Sequence, residues 1–389
     1  MRDRLVPILA LVVCSVAGLL ASCSTPPGKH VASTAPPLQR YQYTRPKWGS
    51  VFRIILFAPD EATANAAAEA AFARFDVIGQ ASNDYDPNSE VSRLSRMTAD
   101  GPMTAAVPVS EDLYRVLEAS IIASEKSGGA FDVTVGPLVH LWRRSRELVE
   151  LPTKERLDAA RAAVGYRLIR LTHIETKTPD GRTVPSPAVQ LMAAKMRLDL
   201  GGIVTGYATT DVLRVLKEHG VSRALIDAAG DLAASDPPPA LDGWRVAIQA
   251  IEDPWKTVGY VKIANCACST SGDTYRYVEI NGVRYSHIVD PKTGLGLTRR
   301  VGVTVITDDG TTCDWLDTAL PVMELKDAQA LVEGMPGTAA RITTIAPDGG
   351  IAVWESSRFK AFWDTSAVTT ISPATTQTQG NQPSPGQPE

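Results

Sequence analysis

Ser269–Leu297 reads STSGDTYRYVEINGVRYSHIVDPKTGLGL, and its pattern decides how the neighbouring segments fit together. Ser271-Gly272-Asp273 predicts a small, flexible, acidic turn. Tyr275, Tyr277, Val278 and Ile280 then form an alternating run, cut by Asn281-Gly282. Asn-Gly between alternating apolar runs is the strongest short-range hairpin signal, because both residues tolerate a positive φ. The return strand is predicted over Val283–Val289, carrying Tyr285, Ser286 and His287 into a second turn, Asp290-Pro291-Lys292-Thr293-Gly294. A strand end thus presents an imidazole, a carboxylate and an ammonium together. Polyphosphate or acyl chemistry uses such a set: a group titrating near neutrality, a base or metal ligand, and a cation. An ordinary hairpin with a polar turn has the same composition, so the turn alone does not separate chemistry from decoration.

Working outward, Trp48–Phe57 (WGSVFRIILF) alternates and then becomes continuously apolar, as a buried strand does. Glu61–Ile78 is Ala-rich, with Phe72, Phe75 and Ile78 at helical spacing. Asn83–Leu94 reads as a turn followed by a short helix capped near Ser89, and Ser110–Ser127 as a helix with Ser110 as N-cap and Gly128 as its stop. Thr153–Val164 predicts another capped helix. Lys195–Leu200 alternates as a strand, meets Gly201-Gly202, and leads into a helix from about Thr205 to Gly220. That layout aims backbone amides and a helix N-terminus at phosphate. It is not a G-x-G-x-x-G, so it supports no Rossmann reading. Further strands are predicted at Arg223–Asp227, Trp244–Ile251, Val258–Ala264 and Val301–Thr307. A helix around Cys313–Leu320, another at Glu324–Gly334 and a hairpin over Ala339–Glu355 close the fold. The class is α+β: mixed sheets with packed helices, in one domain over residues 45–365.

At 389 residues with 21% charged residues and a net charge of −4, the chain has an ordinary surface for its size. Nothing in it suits a polyanion, which excludes nucleic acid as a partner. Arg2 and Arg4 precede an apolar run, Leu5–Leu20, that is short for a membrane span. Leu20-Ala21-Ser22-Cys23 resembles a bacterial lipobox. It predicts a signal peptide over residues 1–22, cleavage before Cys23, and an exported lipoprotein held at the membrane by acyl chains on Cys23. Residues 23–44 are expected to be a flexible tether and 366–389 a disordered tail. Cys266 and Cys268 lie two apart on one strand face, poor geometry for a mutual bridge. A bridge from either to Cys313 and three buried thiols both remain open, and C-x-C alone is a weak metal signal.

Three stretches together carry a family resemblance. His287–Gly294, HIVDPKTG, looks like the signature of the ApbE-type flavin transferases, where it normally reads HIIDPKTG. Ser127–Trp142, SGGAFDVTVGPLVHLW, and Asp199–Ala208, DLGGIVTGYA, resemble two further signatures of that family. The resemblance spans roughly residues 45–345 and implies a T-fold-like catalytic domain that transfers FMN from FAD to a threonine hydroxyl of a target protein, with AMP leaving and Mg²⁺ as cofactor. It implies that Trp48 and Tyr85 line the flavin site, that Ala130, Phe131, Asp132, Asp199, Thr205 and Ile288 contact FAD, and that His287 or Asp290 takes the threonine proton. The metal ligands it implies are the Gly202 carbonyl, Asp314 and Thr318. The last two are one helical turn apart, and all three are hard oxygen donors of the kind Mg²⁺ prefers. A flavin-acceptor subunit of a membrane redox complex would be the partner.

The chain departs from the family pattern at several positions. Trp48 replaces a methionine, Thr205 stands where lysine is common, Thr210 stands in place of aspartate, and Asp317 in place of alanine; Ala229-Gly230-Asp231 has lost one glycine of a Gly-Gly-Asp turn. Two other readings therefore stay open at this point: an FAD pyrophosphatase using the same site with water, and a flavin-binding lipoprotein without catalysis.

Overall fold

A computed structural model describes residues 37–253, 255–272 and 277–366. Gln39–Lys47 (β1) pairs antiparallel with Ser50–Ala58 (β2), and Trp48 and Gly49 turn the hairpin at φ 51° and 75°. The first described strand therefore begins at Gln39, where Tyr41 and Tyr43 start an alternating run, ahead of the residue 45 expected from the sequence. The lipobox with Cys23, the rest of the tether and the tail from residue 367 lie outside the described residues.

In β2, Phe52, Ile54 and Leu56 face one core while Ile55 and Phe57 pack toward a second. Both faces are covered, which is why the run is continuously apolar. The first cover is Glu61–Ser82 (α1). Asp60 caps it by accepting from the Thr63 N–H, and Ala64, Ala67, Ala68, Ala71, Phe72, Phe75 and Ile78 are buried at helical spacing. Glu90–Arg96 (α2), the two-residue strand Val107–Pro108 (β3) and Glu111–Lys126 (α3) follow, the helices capped by the Ser89 and Ser110 hydroxyls. Gly136–Leu148 (α4) and Lys154–Arg161 (α5) come next. Ile169–Lys177 (β4) and Thr183–Leu191 (β5) form a hairpin that joins β3 in a three-stranded sheet.

Val204–Glu218 (α6) leads into the second half: Arg223–Ala228 (β6), Asp231–Ala234 (β7), Trp244–Gln249 (β8), Thr257–Ile263 (β9) and Cys266–Gly272 (β10). Tyr277–Ile280 (β11) and Val283–Ser286 (β12) are followed by Arg300–Thr307 (β13), Gly310–Ala319 (α7), Leu325–Gly334 (α8), Ala339–Ile345 (β14) and Ile351–Glu355 (β15). The main sheet has eight strands in the order β1-β2-β6-β7-β10-β13-β14-β15, all neighbours antiparallel. Helices α1, α6 and α7 cover one face, and the β8–β9 hairpin with Phe359 covers the other. The fold is α+β, with mixed helices and sheets.

Three local expectations are corrected, and the open question of the cysteines is answered. Ser271 and Gly272 are strand residues of β10, opposite Val303 and Gly302, and not a turn; Asp273 and Tyr275 lie outside the described residues. The return strand stops at Ser286, because the Ser286 N–H donates to the Leu297 carbonyl at 2.7 Å and the chain folds back on itself. Lys195–Leu200 makes only one bridge, Arg197 to Val135, and is otherwise irregular. The three cysteines are free and buried. Cys266 and Cys268 sit in the core under β8–β9 while Cys313 sits in the helix-side core, so the sheet separates them. Burial pushes all three thiols well up, keeping them protonated and unreactive.

Candidate active site

The β11–β12 hairpin turns on Asn281 and Gly282 at φ 53° and 75°, as the two-residue turn requires. Its apolar face, Ile280 and Tyr285, packs on Leu138 and Trp142 of α4 in a third, separate core. The Trp142 indole N–H donates to the Ser286 carbonyl at 3.1 Å. The next residue is His287. Beyond it the chain is closed by Asp290 N–H to Leu295 O (3.0 Å) and Gly294 N–H to Asp290 O (2.8 Å). The Asp290 carboxylate accepts from the Lys292 N–H at 2.8 Å within that turn.

A cleft of about 290 Å³ lies beside this loop. Tyr85, Ala130, Phe131, Asp132, Asp199, Gly202, His287, Ile288 and Thr318 line it, so nine of the thirteen predicted site residues converge on one space. Trp48 and Thr205 line a neighbouring cleft of about 680 Å³ that shares Tyr85 and Gly201 with the first. Asp290 and Asp314 line neither. The Asp290 carboxylate holds its turn through one oxygen, while His287 lines the first cleft. Two further predictions are qualified by packing. The Trp48 ring stands edge-on to Phe52 and Phe75, with centroids 5.2 and 6.0 Å away; it is a core ring that shows only part of itself to the cleft. The Asp132 carboxylate already accepts from the Thr134 N–H and hydroxyl on one oxygen and from the Tyr166 N–H on the other. It therefore fixes the Gly-Gly-Ala-Phe loop and has little capacity left for a ribose. Burial raises its carboxyl above the usual range.

Behind the cleft, α6 and α7 cross at two glycines. A Cβ on Gly206 would fall 2.0 Å from the Gly310 carbonyl oxygen, so no larger residue permits this approach. The crossing lets the Asp314 carboxylate accept from the Gly206 N–H at 2.8 Å and places Thr318 so close to Gly202 that a Cβ there would lie 2.7 Å from the hydroxyl. Asp314 is 3% exposed and Asp317 5%. The Ser269 hydroxyl bridges Asp317 and Asp231, donating its one proton to one carboxyl and accepting from the other when that carboxyl is protonated. Burial and mutual charge raise Asp314 and Asp317 well above the carboxylate range, and burial pushes Asp231 to about 6. The hydrogen bonds of these three carboxylates run to hydroxyls and backbone N–H groups. Buried carboxylates packed together in this way favour a cation nearby. The donors at hand are oxygens and suit Mg²⁺; among the described residues no group of three His, Cys, Asp or Glu side chains converges to hold an ion without the hydroxyl and carbonyl.

Four residues were not singled out from the sequence. Arg143 Nη1 lies 3.5 Å from Asp84 and Nη2 3.2 Å from Asp199, and the guanidinium stacks 4.4 Å over the Tyr85 ring. Tyr85, 71% exposed, is thereby held at the junction of the clefts. Burial and the Asp199 charge push Asp84 to about 6. Arg146 lines the same cleft, and its buried Nε has no hydrogen-bond partner among the described residues. The fourth, Ser271, lines the cleft opposite α4. The only sequence signal for the arginines was their i, i+3 spacing on α4, which any solvated helix face can show.

The arrangement resembles known proteins across most of its length. A model of the ApbE family matches residues 48–342. The FAD:protein FMN transferase of Klebsiella pneumoniae is 31% identical over 319 residues, 81% of this chain and 87% of that protein. That of Salmonella typhimurium is 32% identical over 285 residues, 72% and 76% of the two chains. The crystallised flavin transferase ApbE from Vibrio cholerae superposes with a TM-score of 0.71 at 26% identity, covering 84% of this chain and all of that one. Apo flavinyl transferase ApbE from Pseudomonas stutzeri gives 0.70 at 27% identity, covering 85% and 99%.

Proposed function

The chain belongs to the ApbE family of flavin transferases, and from that premise we propose a Mg²⁺-dependent transfer of FMN from FAD to a threonine hydroxyl of an acceptor protein, releasing AMP. The observation that carries the proposal is the convergence on one cleft of His287, Phe131, Asp199, Gly202 and Thr318, which come from four separate parts of the sequence.

The residues suit the parts of the reaction. Tyr85, stacked under Arg143 and open to both clefts, offers a ring face to the isoalloxazine. Phe131, Ala130, Ile288 and the Asp199 carboxylate line the space for the adenosine half. Arg143 and Arg146 bring positive charge to the same cleft, where a pyrophosphate needs it. The Gly202 carbonyl, the Thr318 hydroxyl and the Asp314 carboxylate would hold Mg²⁺, which supplies charge neutralisation to the phosphoryl oxygens when bound. In the transfer, the threonine Oγ forms a bond to the FMN phosphorus and the bond from that phosphorus to the bridging oxygen breaks. AMP takes that oxygen with its electron pair, and His287 accepts the threonine proton. The same reading assigns the address: Cys23 acylated, the tether spanning to Gln39, and the domain held on the extracytoplasmic side of a membrane where it meets a membrane redox subunit.

The test is product analysis with FAD, Mg²⁺ and candidate acceptor domains. A protein that gains FMN by mass, with one AMP released per FMN, supports the proposal. Free FMN with AMP and no labelled protein turns the reading into a pyrophosphatase, and unchanged FAD leaves a binding protein.

A further inference from the structure

α7 buries two carboxylates, Asp314 and Asp317, and the proposed reaction uses only the first. Asp317 is 5% exposed and lines neither of the two neighbouring clefts. Thr318, the next residue, lines the first cleft and lies so close to Gly202 that a Cβ there would meet its hydroxyl. The two carboxylate oxygens of Asp317 have separate partners. Oδ1 accepts from the Thr318 hydroxyl at 3.3 Å. Oδ2 is bridged through the Ser269 hydroxyl to Asp231. Ser269 is buried on β10, and Asp231 opens β7. The main sheet therefore holds the carboxylate from behind while its other oxygen reaches a side chain of the cleft. Asp314 stands three residues before Asp317, on the same helix face.

We infer that Asp317 is a positioning residue for the divalent cation and acts through Thr318, taking its hydroxyl hydrogen and turning the oxygen's lone pairs toward the ion. The inference rests on the Mg²⁺ reading above and concerns a residue outside that ligand set. A hydroxyl has one hydrogen and two lone pairs. With the hydrogen engaged by Asp317, both lone pairs are left for the cation. With alanine here, as in the family pattern, the Thr318 hydroxyl would turn to the carbonyl four residues back, that of Asp314. A carboxylate is a stronger acceptor than a peptide carbonyl. It polarises the O–H further and makes the oxygen a better ligand, as partners behind a metal ligand do. Its charge also adds to that of Asp314 on the same face, which favours a divalent ion. Ser269 completes the arrangement: by engaging Oδ2 it leaves Oδ1 as the oxygen that meets Thr318.

The test is Mg²⁺ binding to the full-length protein, read by titration calorimetry and by the thermal shift that Mg²⁺ produces. Both are run with and without ADP, which supplies a diphosphate and no flavin to transfer. Asp317→Ala is expected to weaken Mg²⁺ binding roughly tenfold or more. Asp317→Asn lacks the charge as well, but its amide can donate to Ser269 and present its oxygen to Thr318. It is expected to bind Mg²⁺ more tightly than Asp317→Ala and less tightly than the parent. Parent affinity in Asp317→Ala overturns the inference, leaves Gly202, Asp314 and Thr318 as the metal set, and, with a lowered unfolding midpoint in EDTA, makes Asp317 a tie between α7 and β10. Equal weakening in the two variants also overturns it, because charge alone and not the hydroxyl's orientation was then lost. A parent that gives neither heat nor a thermal shift with Mg²⁺ overturns the Mg²⁺ reading, and the role of Asp317 with it.

Discussion

The Trp142 indole N–H donates to the carbonyl oxygen of Ser286 at 3.1 Å, so a helix fixes the residue immediately before His287. The bond is buried and spans 144 positions of sequence. It joins the Gly-Ala-Phe-Asp segment and its helix to the His-Ile-Val-Asp-Pro loop, the two stretches whose residues face each other across the cleft. Trp142 also meets Tyr285 edge-on at 5.5 Å, so the ring and the N–H make separable contributions.

Trp142→Phe retains a ring and removes the donor, leaving the Ser286 carbonyl buried without its side-chain partner. The expected loss is about 1–3 kcal/mol of stability, read from the midpoint of denaturant unfolding. Flavin transfer per folded molecule is expected to fall as well, with FAD affinity less affected. A destabilised variant that transfers at the parent rate would limit Trp142 to packing.

Asp314 tests the cation. It is buried against the Gly206 N–H and packed near two other carboxylates, so Asp314→Asn removes the cost of burying an ionisable carboxyl while keeping one acceptor. The variant is expected to be more stable than the parent in EDTA, to gain less thermal stability from added Mg²⁺, and to lose Mg²⁺-dependent transfer while still binding FAD. Equal stabilisation of parent and variant by Mg²⁺ would remove Asp314 from the ligand set.

Asp84 gives a pH dependence with a defined sign. Its carboxyl is pushed up to about 6, by burial first and then by the Asp199 charge, against about 3.9 in the unfolded chain. The folded state therefore holds the proton to higher pH than the unfolded state. The stability this contributes is full below about pH 4 and is lost as the pH rises through about 6. Asp84→Asn cannot lose it. Unfolding free energies measured across this window should show the parent weakening relative to Asp84→Asn as pH rises; a constant difference would show that the group is not perturbed in that direction.

The address is tested apart from the chemistry. Cys23→Ala removes the thiol that acylation requires and is expected to release the protein from membranes into the soluble fraction, with transfer activity intact. Full retention at the membrane would reject the lipobox reading.

Much of this architecture was legible because its signals are local. Asn281-Gly282 announced the hairpin, and Ser89, Ser110 and Asp309 cap the helices that follow them, because a cap needs only a side chain and an N–H three residues on. The residues that line the cleft were legible through their short motifs. What the sequence concealed depends on distant partners. The β4–β5 hairpin carries Pro185 and Pro187 in β5, which argue against a strand; the Pro187 carbonyl instead serves the Val109 N–H beside β3. Ser269, Asp231 and Asp317 meet only because β7, β10 and α7 converge. Arg143 acquires a role only when α4 is laid beside Asp84 and Asp199.

His287 bears the sharpest prediction. It follows the pinned Ser286 carbonyl and lines the cleft that gathers most of the other candidate site residues. A neutral imidazole can accept the threonine proton. His287→Asn keeps comparable size and one hydrogen-bonding arm and removes the base. If His287 is the base, transfer per folded molecule should fall by roughly 10²–10⁴-fold, with FAD affinity and the unfolding midpoint close to those of the parent. A purely packing role gives the reverse: a lower midpoint and normal transfer by the folded fraction. A well-folded His287→Asn that transfers FMN at the parent rate would take the base role from this residue.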